Sequence, residues 1–195
     1  MVLHFDVGRP KSIAALEQSM MANQKLFLVA QLDPEVEDPM PEGLCEVGTI
    51  ATIKQVMNLP GESIRVLVEG ESRGVMENVI RNEECMLGNV RVCKDRTVRS
   101  MEGKALVRTA QDLFETFATT SHRVSQETVE GLRSIEKPGE LADLLAANIL
   151  SKPEERQEIL NELDPVKRLE KISAILMRET DLVDAEQQIQ SRLRK

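Results

Sequence analysis

Between Val47 and Gly70 the chain sets two long apolar-rich runs on either side of Leu59-Pro60-Gly61-Glu62, and this pair limits what the rest can fold into. Pro60 presets φ near the value that the second residue of a turn needs, and Gly61 takes positive φ at little cost. On the returning run Ile64, Val66 and Val68 fall on one face and Arg65 and Glu69 on the other, the period of a strand. The outgoing run is looser: Ile50, Ile53, Val56 and Met57 do not keep one face, which predicts a bulge or a change of face. An ordinary Pro-Gly turn splays a two-residue hairpin, so the connecting loop is expected to be longer than that.

Around this hairpin the chain reads first as strands, then as helices. Val2 to Val7 alternates like a strand until Gly8-Arg9-Pro10 breaks it. From Pro10, Ile13, Leu16, Met20 and Met21 share a helical stripe, with Pro acceptable at a helix start. Leu26 to Ala30 is a short apolar run that predicts a buried strand. Asp33 to Gly43 holds three prolines and several acids, an exposed loop rather than a regular element. Gly70 to Gly74 predicts a turn, Val75 to Val79 a further strand, and Met86 to Val98 another strand or pair. Near Ser100 the apolar period changes from two to about 3.6. The expected division is therefore a β-rich unit over 1–100 and a helical unit over 101–195.

Punctuation divides the helical part. Leu106 to Phe117 gives one helix, Ser125 caps a second, and Lys137-Pro138-Gly139 precedes a third. Ser151-Lys152-Pro153-Glu154-Glu155 and Asp164-Pro165 open two more, with acids where the helix dipole favours them. The last helix carries Val166, Leu169, Ile172, Leu176 and Val183, then only Ile189 and Leu193. So thin a stripe predicts that it projects as a rod or leads into another domain. The pattern runs to Arg194-Lys195 with no Gly or Pro to close it, as in a piece cut from something longer.

Of the 195 residues only 2% are aromatic, so the core is expected to be aliphatic, with nine Met as adaptable filler. The same scarcity removes stacking platforms for single-stranded nucleic acid. A net charge of −8 argues against phosphate binding, and Arg91, Lys94, Arg96 and Arg99 read as the solvated face of a strand. No apolar run reaches the length of a membrane span. Three cysteines without a pairing pattern fit a reducing compartment, so a soluble, cytoplasmic protein is expected. His4 and His122 fall in different units, and Cys45, Cys85 and Cys93 form no zinc-type set. Glu102-Gly103-Lys104-Ala105 echoes a phosphate loop, but Val98 replaces its first Gly and Ala105 its Ser/Thr. No residue is predicted to be catalytic, to hold a cofactor or to bind a metal.

The blocks Asp6-Val7-Gly8-Arg9-x-Lys11-Ser12, Leu28 to Gln31, Val47 to Gly70, Pro138-Gly139-x-Leu141-Ala142-Asp143, Lys152 to Leu160, Asp164 with Arg168-Leu169, and the tail to Lys195 resemble, in order, the N-terminal domain of bacterial ATP-dependent Lon proteases. The resemblance covers essentially the whole chain. It implies an α+β fold: a PUA-like (pseudouridine-synthase-and-archaeosine) β-barrel subdomain, then an α-helical bundle with a long C-terminal helix leading to an ATPase module. It also implies substrate recognition, with damaged or unfolded proteins as partners, in a parent that is a homohexameric serine protease using ATP and magnesium. The ATPase module and the Ser-Lys protease domain of that family have no counterpart in this sequence. The family carries a strand ahead of the segment that begins here, so Met1 is expected to be internal and a strand edge to lie open.

Degenerate recognition of exposed apolar segments suits flexible Met side chains. The candidate contacts are Met57, Leu59 and Pro60 at the hairpin tip, Met40 in the acidic loop, and Met20 and Met21 on the first helix. The plainer alternative puts Met20 and Met57 in the core. Three other functions stay open: a stand-alone Lon-type substrate-binding protein, an RNA-binding PUA-like module, and a spacer that self-associates through Leu182, Ile189 and Leu193.

Overall fold

The returning arm of the hairpin is the longest strand of the sheet and its organising element. The elements of the first part are β1 (Val2–Val7), α1 (Pro10–Met21), β2 (Lys25–Leu28), β3 (Val47–Asn58), β4 (Ile64–Arg81) and β5 (Met86–Cys93). The computed structural model describes residues 1–193. All pairings are antiparallel: β4 lies between β3 on one side and, in succession, β1 and β5 on the other, while β2 pairs β3. Among the described residues no pairing joins β2 to β1 or β5, so the closed barrel that the resemblance implied is not shown. Nor does the chain turn at Gly70 to Gly74. The strand continues through this stretch: Glu71 is an extra residue of β4, bulged opposite Ile50 and Ala51 of β3, and its carboxylate takes the Lys25 ammonium at 2.7 Å.

A second bulge, at Lys54, explains the uneven pattern of β3. Ile53 faces Val68 and Val56 faces Val66, so two residues three apart both reach the core. Met57 faces Arg65, which in turn faces Asp6 on β1 and grips it through two hydrogen bonds of 2.7 and 2.9 Å. That row is the outer face. The connecting loop Leu59 to Ser63 is longer than two residues, and Gly61 and Glu62 both take positive φ, 87° and 65°. The core of this unit is Leu16 of α1 against Ala51, Ile53, Val66 and Val68.

One cross-strand pair of this sheet needs glycine on both sides. Gly48 faces Gly74, and the Phe27 ring of β2 lies over the two. A Cβ on Gly48 would stand 2.4 Å from the Leu28 carbonyl oxygen, and one on Gly74 would stand 2.4 Å from a methyl of Val90.

The chain divides into two compact units, Met1–Lys94 and Asp95–Lys195. The expected change of character was at Ser100; residues 95–99 group with the helices because Asp95 and Arg96 are bonded into them. Only Arg91 of the four clustered basic residues lies in a strand, where it pairs with Glu77. The second unit contains α2 (Met101–Ser121), α3 (Gln126–Arg133), α4 (Pro138–Ile149), α5 (Pro153–Asn161) and α6 (Pro165–Leu193). Ser100 and Ser125 cap α2 and α3 by accepting from the N–H of Gly103 and Thr128. Gly103 is a packing residue: its missing side chain makes room for Val98. Phe114, Phe117, Leu141, Leu145, Leu169, Ile172 and Leu176 centre the core of the bundle.

Helix α6 is seated in the bundle as far as Val183, and Gln187 still donates to the Thr120 carbonyl at the end of α2, at 2.6 Å. Most of the helix is thus embedded, and only its last turns carry the exposed Ile189 and Leu193. Arg194 and Lys195 lie outside the described residues. At its start, Arg168 is fully buried and reaches Asp95 at 2.5 Å, Asp143 at 3.2 Å and the Glu162 carbonyl at 3.0 Å. Gly139 has no side chain because one would collide with this guanidinium and with Asp95. Asp164 caps α6 through the N–H groups of Val166 and Lys167 and takes Arg96 on its carboxylate.

Two outcomes follow from this geometry. Gly48→Ala should lower stability by about 1–3 kcal/mol in urea denaturation, because backbone must move. Gly74→Ala should cost less, because the obstructing atom is a side-chain methyl. The Arg96 guanidinium, followed by the two helix N–H groups, holds the Asp164 carboxyl at about 2. Its unfolded value is about 3.9, so its stabilisation is complete above that and is lost as pH falls from about 4 to about 2. Asp164→Asn keeps a capping side chain but removes the charge. Wild type should exceed this variant in stability at neutral pH, and acid denaturation followed by circular dichroism should show the gap closing across that window.

Candidate functional site

None of the nine Met is buried: Met1, Met20, Met21, Met40, Met57, Met101 and Met177 are exposed, and Met76 and Met86 are half-buried. The expected role as core filler is overturned, because Leu, Val, Ile, Ala and Phe complete both cores. Register explains one case. Met57 stands beside Arg65 on the outer face and is 51% exposed. Helical phase turns Met21 away from the Leu16 face, at 89% exposure, whereas Met20 shares that face one turn on and is 44% exposed because the core contact of α1 stops at Leu16. The alternative that Met20 and Met57 belong to the core is excluded.

Met40 sits in a loop that is exposed yet fixed. The loop is closed at its base by the Leu32 N–H on the Gly43 carbonyl, at 2.8 Å, and by the Cys45 N–H on Ala30, at 2.9 Å. Gln31 donates inside it to the Asp33 and Val36 carbonyls. Asp38 receives Lys11 of α1 at 3.0 Å and also Arg81 at the end of β4. Arg81 and Lys11 hold the Asp38 carboxyl below the usual carboxylate range, with the Lys11 hydrogen bond the leading cause. The Met40 sulfur rests against the same Arg81 guanidinium.

These contacts bring together both ends of β4. Its first residue, Ile64, pairs with Val7, and Ser63 lies beside Gly8, just before α1. Its last, Arg81, is tied through Asp38 to Lys11 in the first turn of α1. Leu59 (half-buried), whose N–H donates to the Ser63 carbonyl, and Pro60 (exposed) thus belong to the loop that meets Gly8 just before α1, while Met40 rests on Arg81, which is tied to Lys11 through Asp38. Met21, at the far end of α1, borders a shallow groove of about 510 Å³. Pro10, Ala14 and Met21 line it from the helix, and Glu17, Glu83 and Glu84 add carboxylates. Gln18 fixes the turn after β4 by donating to Glu84 at 3.1 Å and accepting from the buried Cys85 thiol.

Sequence reasoning named the methionines but missed this groove. Glu83-Glu84 was its only available signal, two acids following a strand pattern, with nothing to show that α1 would lie against them. In the helical unit, His122 takes positive φ at the end of α2 and lines a second hollow of about 310 Å³ with Glu115 and Gln126. Among the described residues no three His, Cys, Asp or Glu side chains converge as metal ligands would, and no helix is long and apolar enough to cross a membrane.

The fold is thus a two-unit α+β module with soft apolar side chains spread over its surface. Residues 1–178 match the ATP-dependent protease La (LON) substrate-binding domain, and the chain belongs to that family. It is 38% identical over 190 residues to the Lon protease of Clostridium acetobutylicum, covering 97% of this chain and 24% of the relative. It is 35% identical over 195 residues to Lon protease 1 of Bacillus subtilis, covering 100% of this chain and 25% of the relative. The chain spans about a quarter of the length of the curated relatives it matches. The fold is similar to the N terminal domain of Mycobacterium avium complex Lon protease, with a TM-score of 0.69 at 23% identity, over 93% of this chain and 90% of that one. It is also similar to a Lon N-terminal domain protein from Xanthomonas campestris, with a TM-score of 0.60 at 14% identity and 89% of each chain covered.

Exposed side chains that complete no core can be replaced without loss of fold. Met21→Ser and Met57→Ser should each change stability by less than about 0.5 kcal/mol in denaturant titration.

Proposed function

We propose that this chain is the client-gripping part of a Lon-type ATP-dependent serine protease, binding damaged or unfolded proteins without cutting them itself. In the parent it would serve a cytoplasmic homohexamer whose ATPase module, with ATP and magnesium, and whose Ser-Lys protease domain would supply unfolding and cleavage. The observation that carries this reading is the placement of Met. In a protein with 2% aromatic residues, no Met is buried and seven of the nine are exposed. An unbranched thioether repacks against many shapes, which is what a surface needs when its partners share exposed apolar segments but no sequence. The family match supports the same reading, since the matched unit is described as substrate-binding. The strong acidity of the chain and its lack of Trp and Tyr disfavour RNA as the partner.

The test is binding of a reduced, alkylated and hence permanently unfolded model protein, followed by fluorescence anisotropy. The expected result is saturable binding of the unfolded form and none of its native form. Combining Met20→Ser, Met21→Ser, Met40→Ser and Met57→Ser should weaken it at least about fivefold with the circular dichroism spectrum unchanged, a floor set by the loss of about one buried methylene-sized contact, about 0.8 kcal/mol. Equal binding of native and unfolded forms would refute the proposal.

A further inference from the structure

We infer that the groove between α1 and the turn after β4 receives extended polypeptide in which an apolar side chain is flanked by Lys or Arg. This rests on the protein-binding reading above and names the class of client segment for one part of that surface. Pro10, Ala14 and the 89%-exposed Met21 supply its apolar surface. The rim is acidic, from Glu17, Glu83 and Glu84. The side chains of Glu17 and Glu83 make no hydrogen bond or ion pair among the described residues, and that of Glu84 accepts from Gln18, a neutral donor, which leaves its charge uncompensated. One cation, Lys11, also lines the groove, but its ammonium is engaged. Lys11 is bonded to Asp38, which also takes Arg81, so this trio offsets only one of the three rim charges.

The dimensions fit a short run of extended chain. A hollow of about 510 Å³ lies within the roughly 300–1,000 Å³ range of sites for small ligands and is too small for a folded partner. A metal ion would leave the apolar lining unused, and no three ligands converge there among the described residues. A phosphate-bearing partner would meet carboxylates. Lys and Arg satisfy both features at once, since their aliphatic stems lie along apolar surface while the charged heads reach outward. Two excess rim charges act over about a Debye length, roughly 10 Å at 0.1 M salt, so the preference is electrostatic and sensitive to salt.

The experiment uses the whole chain and three fluorescein-labelled unstructured peptides with one Leu/Val core and Lys, Ser or Glu flanks. At low salt the Lys-flanked peptide should bind about fivefold more tightly than the Glu-flanked one, the size that a few exposed charge pairs supply. High salt should compress that ratio. In the triple variant Glu17→Gln, Glu83→Gln and Glu84→Gln the ratio should fall to within about twofold, with the Ser-flanked peptide unchanged. Met21→Ser should weaken all three peptides alike. Equal affinities in the wild type, a ratio that survives the triple variant, or indifference to Met21→Ser would each overturn the inference. So would a wild-type dimer, seen by sedimentation, that the triple variant abolishes, since that assigns the face to a second copy. Binding of unfolded protein with no charge preference overturns this inference alone; failure to bind unfolded protein or any peptide overturns the proposed function with it.

Discussion

An extended strand of eighteen residues would span roughly 55 Å if straight, about three times the roughly 18 Å length of α1. Yet β4 begins beside Val7, just before that helix, and ends tied to Lys11 in its first turn. The strand must therefore coil strongly, and the means are visible. Extra residues at Lys54, Glu71 and Glu77 break the register where the sheet bends, and the paired Gly48 and Gly74 let the Phe27 ring close over the backbone. Everything proposed for the surface depends on that coiling. Without it the hairpin tip, the acidic loop and the turn after β4 would lie far apart along a flat ribbon. With it, all three border one helix.

The helical unit solves a different problem. Its chain enters through Asp95 and Arg96, and both are held at the start of α6: Asp95 by Arg168, Arg96 by Asp164. A guanidinium with no exposure is costly unless its charge is offset: here Asp95 and the Glu162 carbonyl accept from its two terminal nitrogens, and Asp143 lies 3.2 Å from Nε as an ion pair, although Nε itself makes no hydrogen bond. The carboxylates are themselves partly open to solvent, which lowers the cost of confining them. Lys could not replace Arg168, because a point charge cannot reach three acceptors from one planar fork. Gly139 is part of the same arrangement, so the Pro138-Gly139 pair that marks a helix start in the sequence also vacates the volume that the guanidinium fills.

What the sequence revealed and what it hid divide along physical lines. The hairpin, the irregular period of β3, the helix starts at Pro10, Pro138, Pro153 and Pro165 and the two serine caps were legible, because each depends on a few neighbouring residues. The turn expected at Gly70 to Gly74 was misread because those glycines serve neighbours far along the chain: a Cβ on Gly74 would strike Val90 and crowd the Phe27 ring. No local pattern reports that. The Met candidates were legible as chemistry but not as location, since a Met on a helical stripe looks the same whether the stripe continues inward or stops at Leu16. The groove was illegible because its walls come from residues about seventy positions apart, joined only when β4 coils.

Shallowness is itself an argument about how such a surface works. A deep, shaped pocket selects one side chain and binds it tightly, whereas the unfolded clients proposed above would be held by contacts that form and break readily. Exposed methionines offer area without a fixed shape, and an acidic rim offers attraction without a fixed geometry. Both give fast encounter and modest residence, and both tolerate many sequences. On the proposed reading, affinity would come from several weak contacts made at once by one long unfolded segment touching the tip, the loop and the groove. The coil of β4 matters for that reason: it sets weak sites close enough together for a single flexible chain to bridge them.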